Sequence, residues 1–256
     1  MKTALITGAS EGIGFEFAKL FAQQGNNLIL VARSENRFQT IAKELSAYKI
    51  TVTVYAKDLS ILENAKYIYE DLKTRNISVD YLINNAGYGI NDNYVDIDWS
   101  KEQEMFNLNM LTVAYFTKMF AKDMKERKFG RVLNIGSTGS FQPVPFMAGY
   151  AATKAFVLSL SEAVNYELKG TNVSVSTLCP GVTDSKFHEV AKTENSGMSK
   201  FLSHASPEKV AKYGYKLMMK GKSMGVQGLF NKIMVFSNRL ICRRIIVALA
   251  GKLLKI

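Results

Sequence analysis

The sequence predicts one doubly wound α/β domain: a mostly parallel sheet with helices on both faces, followed by a basic, apolar helical extension. Three observations carry this reading. Short apolar runs alternate with helical apolar spacings along most of the chain. A glycine-rich turn stands at the first strand-to-helix junction. The chain has 256 residues, 47% of them hydrophobic, enough to bury one large core.

The elements follow in order. Residues 3–7 are an apolar run ending in the glycine-rich turn. Residues 12–24 carry Ile13, Phe17, Leu20 and Phe21 at helical spacing until Gly25 stops the helix. Residues 27–31 read as a strand, 35–48 as a helix, and 51–56 as a strand whose Val and Thr suit a pleated surface. A helix over 61–75, a strand over 79–83 and a long helix from about 100 to 128 come next. They are followed by a strand over 131–135, a helix over 148–169 and a strand over 173–178. Helical crossovers of this length join parallel strands right-handedly and cover both faces of the sheet. Residues 1–222 are assigned to this domain, with a substrate loop at about 186–206, and residues 223–256 to the extension.

Charge is unevenly placed. The chain holds 33 basic and 22 acidic side chains, net +11, but beyond Glu208 there are eleven basic residues and no acid. The remainder is therefore balanced, and the high pI belongs to the tail. Two cysteines, Cys179 and Cys242, cannot build a disulfide framework and fit a reducing compartment. Strand-like sequence begins at Thr3 with no apolar leader before it, and no uninterrupted run of about twenty apolar residues occurs. A cytoplasmic protein is expected; a secreted scaffold, a collagen and a multi-pass membrane protein are excluded.

The turn reads Thr7-Gly8-Ala9-Ser10-Glu11-Gly12-Ile13-Gly14. Glycines there permit positive φ and let backbone approach a pyrophosphate seated on the helix N-terminus. At the end of the second strand an NAD site places a carboxylate for the ribose 2′-hydroxyl. This chain has Ala32-Arg33-Ser34 instead. Arg33 can pair with a 2′-phosphate and stack on adenine, and Ser34 can donate to the same phosphate. Arg37 is a second cation in reach, read as a solvated helix residue. NADP(H) is the expected cofactor.

Tyr150 and Lys154 are four apart on one helix face. A phenol is a poor base at neutral pH, and a neighbouring ammonium favours its ionised form. Ser137 follows the strand over 131–135, at the carboxyl edge where sites of α/β sheets form. His188 and His204 lack metal-ligand spacing, so no metal is expected.

These features occur in register with others: TGASEGIG at 7–14, Asp58-Leu59, Asn84-Asn85-Ala86-Gly87, Asn109, Ser137, Tyr150/Lys154 and Pro180-Gly181. Together they resemble the short-chain dehydrogenase/reductase superfamily in its compact single-domain Rossmann form, over about residues 3–187. LILVARSENR and YAATKAFVLSLSEAV resemble its NADP-dependent branch, ketoacyl-reductase-like or hydroxysteroid-dehydrogenase-like. The resemblance implies that Tyr150 protonates a carbonyl oxygen as hydride arrives and that Lys154 binds the nicotinamide ribose and holds the Tyr150 pKa down. It implies that Ser137 positions the substrate oxygen and Asn109 supports a relay water through Lys154. Asp58 and Leu59 would meet the adenine, and Asn85, Ala86 and Gly87 would line the adenosine ribose, with a structural share for Asn84. Pro180, Gly181 and the following loop would hold the carboxamide. The family often has Thr five residues after that proline; this chain has Ser185, with Thr183 as a second hydroxyl.

The expected activity is interconversion of a carbonyl and a secondary alcohol on a small hydrophobic substrate. Phe141, Val144, Phe146 and Met147 offer an apolar wall, and segment 186–206 a candidate lid. Steroid, acyl thioester, diketone and aldehyde stay open as substrates. The resemblance implies a homodimer or homotetramer through the helices near 100–128 and 148–169. The tail has three open readings: packing on its own domain or a partner subunit, peripheral contact with anionic lipid, and nucleic-acid binding, the last disfavoured because its basic residues are interleaved with aliphatics. The rival class is a non-enzymatic nucleotide-binding, membrane-associated interaction protein; the Ser137/Tyr150/Lys154 set argues against it, since a binding module needs no proton donor.

Overall fold

The strand and helix signals resolve, in a computed structural model, into β1 (Thr3–Thr7), α1 (Gly12–Gln23), β2 (Asn27–Ala32), α2 (Glu35–Leu45), β3 (Val52–Ala56), α3 (Leu62–Thr74) and β4 (Tyr81–Asn84). Next come α4 (Trp99–Phe106), a π-helical turn (Asn107–Thr112), α5 (Val113–Glu126), β5 (Gly130–Ile135), α6 (Ala148–Glu167) and β6 (Val173–Cys179). The C-terminal part supplies α7 (Pro207–Met219), β7 (Met224–Val226), α8 (Leu229–Ser237) and α9 (Arg243–Leu254). The structure describes residues 1–33, 35–184, 191 and 204–254, except the side chains of 35, 36, 39 and 46. Ser34, Ser185, His188 and most of segment 186–206 therefore lie outside the described residues.

The strands form one seven-stranded sheet in the order β3-β2-β1-β4-β5-β6-β7. Every neighbouring pair is parallel, so the fold is a doubly wound Rossmann-type α/β fold. β7 pairs through Thr177↔Met224 and Cys179↔Val226. Residues 223–256 thus begin by completing the sheet, a contribution that three residues with a central glycine do not announce.

Period-2 alternation divides the core into two layers. Ala4, Ile6, Leu28, Leu30, Ile83 and Leu133 face α1, α2 and α7, where Phe17, Phe21, Ile41 and Met218 fill the space. Leu5, Ile29, Val31, Leu82, Val132 and Val175 face α3 and α5, against Ile68, Leu72, Phe116 and Phe120. Both faces are buried, which is why the strands read as unbroken apolar runs.

The long helix expected over 100–128 is α4, the π turn and α5 in sequence. Asp98 caps it, accepting from the Ser100 N–H at 2.8 Å. The π turn is anchored on both sides: the Thr112 hydroxyl donates to the Leu59 carbonyl at 2.7 Å, and Asn109 binds elsewhere, as described below.

Candidate active site

The loops leaving β1, β4, β5 and β6 at their carboxyl ends converge on one cleft of about 1050 Å³. It opens where β1 lies between β2 and β4, the switch point of the strand order.

At one end the turn after β1 curls over α1. Gly8 and Gly12 have φ of +64° and +56°, a conformation that favours glycine. A Cβ on Gly14 would strike the Gly8 carbonyl, so the turn closes only without one. Thr7 ties the turn to the β4 loop: its hydroxyl accepts from the Asn85 and Ala86 N–H groups at 3.0 and 2.9 Å. The Asn85 side chain donates to the Thr7 and Gly8 carbonyls at 3.0 and 3.1 Å. Asn85 thus lines the cleft while bracing the turn. The Glu11 side chain at the α1 N-cap makes no capping hydrogen bond, and a helix N-terminus of this kind suits an anion. Gly8, Ser10, Glu11, Gly12 and Ile13 line the cleft, whereas Gly14 supports it from behind.

Beside the turn, β2 ends in Ala32 and an exposed Arg33, both on the cleft wall. Arg37 is exposed on α2, as expected, and also donates from Nε to the Ser10 carbonyl at 3.2 Å. Asp58 and Leu59 complete this end, the Asp58 Oδ1 accepting from the Ser60 N–H at 2.9 Å. These groups fit a phosphorylated adenosine: donors for phosphate oxygens, a cation at the ribose, and an acceptor with an apolar neighbour.

The loop after β4 runs through Ala86 and Gly87 along the cleft floor. A Cβ on Gly87 would lie 2.9 Å from the Asn109 Oδ1 and 3.5 Å from the Lys154 Nζ, so all three meet there. Asn109, fully buried in the π turn, donates to the Tyr88 carbonyl at 2.8 Å and to the Thr153 hydroxyl at 3.2 Å. Its Oδ1 accepts from the Tyr88 N–H at 3.3 Å. It braces the loop and does not itself line the cleft. Asn84 is structural, donating to Asn134 and Thr117 inside the core at 2.8 and 3.2 Å.

Ser137, Tyr150 and Lys154 stand at the centre of the cleft. Ser137 caps the 3₁₀ turn Thr138–Phe141, its hydroxyl accepting from the Gly139 N–H at 3.0 Å. The same hydroxyl is hydrogen-bonded to Tyr150. Burial pushes the Tyr150 phenol up to about 12, and the Ser137 hydrogen bond pulls the other way. Burial also lowers Lys154, to about 8. The expected lowering of Tyr150 by Lys154 is not seen here: Nζ donates to the Ile135 carbonyl at 2.8 Å and stands 5.7 Å from the tyrosine ring centroid. Pro180, Gly181 and Thr183 form the far wall, where the Pro180 carbonyl accepts from the Thr138 N–H at 2.9 Å.

Two parts of the wall carry no motif. Residues 88–92 and 96–98 border one side, and Phe230, Met234, Ala250, Leu253 and Leu254 of α8 and α9 border the other. The tail thus packs on its own domain: Leu254 is buried with Met147, and Asn231 fills the space a Gly181 side chain would occupy. Among the described residues no three metal-ligating side chains cluster. His204 lies 2.8 Å from the Asp184 Oδ1.

Fold and site together define a Rossmann-type nucleotide-cleft protein with a Ser–Tyr–Lys cluster of dehydrogenase kind. The chain belongs to the short chain dehydrogenase family, whose sequence pattern matches residues 2–196. It is 32% identical over 193 residues to a very-long-chain 3-oxoacyl-CoA reductase of Coccidioides immitis, a match covering 74% of this chain and 55% of that protein. The chain thus matches about half the length of such relatives. Among solved structures, a short-chain dehydrogenase from Sphingobium yanoikuyae in complex with NADPH superposes with a TM-score of 0.83 at 26% identity, covering 94% of both chains. A bulky-bulky ketone specific alcohol dehydrogenase from Comamonas testosteroni gives 0.79 at 27% identity, covering 94% of this chain and 92% of that one.

Proposed function

We propose that the protein is an NADP(H)-dependent oxidoreductase that interconverts a carbonyl and a secondary alcohol on an apolar substrate. The observation that carries this reading is that one cleft holds the glycine turn at one end, hydrogen-bonded Ser137 and Tyr150 at its centre, and an apolar wall beyond. The likeness to a 3-oxoacyl-CoA reductase and to an NADPH-bound dehydrogenase supports it.

The glycine turn and the α1 N-terminus hold the pyrophosphate, Arg33 holds the 2′-phosphate, and Asp58 with Leu59 receives the adenine. Lys154 holds the nicotinamide ribose, and Pro180, Gly181 and Thr183 hold the carboxamide. When bound, the nicotinamide supplies the hydride. The Ser137 hydroxyl orients the substrate oxygen, and the Tyr150 O–H gives it a proton. The phenol holds its proton at neutral pH and can give it to a carbonyl oxygen in the reductive direction. Asn109 acts as a positioning residue through the Tyr88 backbone. Leu111 of the π turn and Phe156 of α6 are exposed and offer an apolar contact to a second copy of the chain, in a homodimer or homotetramer.

The test is consumption of NADPH, with NADH in parallel, over a panel of hydrophobic ketones and aldehydes, with Tyr150→Phe as control. The expected result is NADPH-dependent turnover that the variant loses while its NADPH affinity stays within a few-fold. Retention of most activity by Tyr150→Phe would overturn the mechanism, and failure to bind either nucleotide would overturn the reading as a whole.

A further inference from the structure

The two C-terminal helices each carry an inner and an outer apolar face. On α9, Ile246, Ala250 and Leu254 are buried against the domain, while Ile245, Leu249 and Leu253, one residue earlier in each turn, are exposed. On α8, Phe230 and Met234 line the cleft, whereas Leu229, Ile233 and Phe236 form an exposed stripe that Leu240 extends. So many large aliphatic and aromatic side chains facing outward on neighbouring helices mark an interaction surface. The same stretch presents Lys232, Arg239, Arg243, Arg244 and Lys252, all exposed, and no acidic residue follows Glu208.

A second feature joins this surface to the site. Phe230 and Leu253 line the cleft yet remain 55% and 37% exposed. An apolar track therefore runs from the outer face of the helices into the cleft.

We propose that the α8–α9 face docks on an anionic lipid surface and that the cleft draws its apolar substrate from that lipid past Phe230 and Leu253. Charge selects this occupant. A second copy meeting the face across a two-fold axis would set an acid-free basic surface against itself. Anionic headgroups match the Arg and Lys side chains, while the aliphatic stripes enter the acyl boundary. Among the described residues no helix is long and apolar enough to cross a membrane, so the helices lie along the surface. Docking stands without the catalytic reading; delivery of a lipid-borne carbonyl compound rests on it.

Cys242 lies between the two helices and is exposed, whereas Cys179 is buried, so a polarity-sensitive thiol fluorophore reports from the docking face. Mixed phosphatidylglycerol/phosphatidylcholine vesicles are expected to blue-shift the probe and co-sediment the protein, phosphatidylcholine alone far less, and added salt is expected to release it. Ile233→Glu/Leu249→Glu and Arg243→Glu/Arg244→Glu, none of which lines the cleft, should each bind at least about tenfold more weakly with unchanged thermal melting. Equal binding by these variants, or no binding of the native chain to anionic vesicles at low salt, would overturn docking. So would an oligomer that the same substitutions dissociate in sedimentation velocity while vesicle binding persists.

For delivery, anionic vesicles should raise turnover of a bilayer-embedded long-chain ketone and leave a short water-soluble ketone unaffected. Turnover of the embedded ketone that vesicle binding does not change would overturn delivery. Vesicle binding without turnover of either ketone would support docking and count against the catalytic reading itself.

Discussion

Lys154 donates its ammonium to the backbone carbonyl of Ile135 at 2.8 Å, joining α6 to the last residue of β5. This bond fixes the cation at the cleft floor beside Gly87 instead of on the tyrosine oxygen. Burial brings Lys154 down to about 8, so the charge is present at neutral pH and is lost as pH rises through that value. Reductive kcat/KM should accordingly fall above about pH 8. Lys154→Met should lower activity by about a hundredfold or more and abolish that limb of the profile. A pH–rate profile of both proteins tests this; an unchanged alkaline limb in the variant would assign it to another group.

Arg33 extends the end of β2 where a carboxylate would have served the unphosphorylated ribose. Replacing it with Ala should weaken NADPH by about tenfold, the scale of one charge-assisted pair, and leave NADH nearly unaffected. Fluorescence titration with both nucleotides reads the ratio directly. An equal loss for the two would move the 2′-phosphate site to Arg37 or elsewhere.

Glu102 on α4 is 2% exposed, and both its carboxylate oxygens lack a hydrogen-bond partner among the described residues. It lies against Gly149, the residue before Tyr150, where any Cβ would collide with the carboxylate. Burial raises its pKa, so the folded chain keeps a proton that the unfolded chain releases. Stability is then full below the ordinary glutamate range and falls as pH rises toward the raised value. Glu102→Gln should flatten this dependence and raise the melting temperature at neutral pH. Parallel melting-versus-pH curves for the two proteins would disprove it.

Two glycines should fail for opposite reasons when changed to alanine. At Gly14 a Cβ meets the Gly8 carbonyl and stands 2.6 Å from the Asn85 Nδ2, a backbone clash expected to cost about 1–3 kcal/mol and to weaken nucleotide binding. At Gly25 nothing lies within 4 Å, but φ is +70°, and alanine should cost about 1 kcal/mol with nucleotide affinity intact. Urea titrations with and without NADPH separate the two.

The sequence revealed what is local. Apolar runs and helical spacings located β1 to β6 and the helices between them, because a sheet buried on both faces writes hydrophobicity continuously into its strands. β7 escaped, since Met224–Val226 is strand-like only by virtue of its neighbour β6. Site residues held by a short turn, such as Gly8 and Ser137, or by the first turn of a helix, such as Tyr150, lie where the chain order suggests. Cleft residues contributed by distant packing, such as Met234 and Leu254, carry no local signature, because an apolar residue that faces a cleft reads the same as one that faces the core. The hydrogen bond from Arg37 to the Ser10 carbonyl was hidden for the same reason: it depends on where α2 comes to rest.

The π turn around Asn109 has a consequence for how this helix tolerates insertion and deletion. A wide turn holds one residue more than a regular helical turn, and each residue advances a helix by about 100°. Removing one residue between Asn107 and Thr112 would let the wide turn close to a regular one and leave α4 and α5 in register, whereas the same deletion inside α4 or α5 would rotate one part of the helix against the other by roughly that angle. A deletion between Glu102 and Phe106 has no wide turn to absorb it and would carry Glu102 off Gly149. The 99–126 helix thus keeps its one residue's worth of slack in the stretch that holds Asn109, close to the Lys154 ammonium.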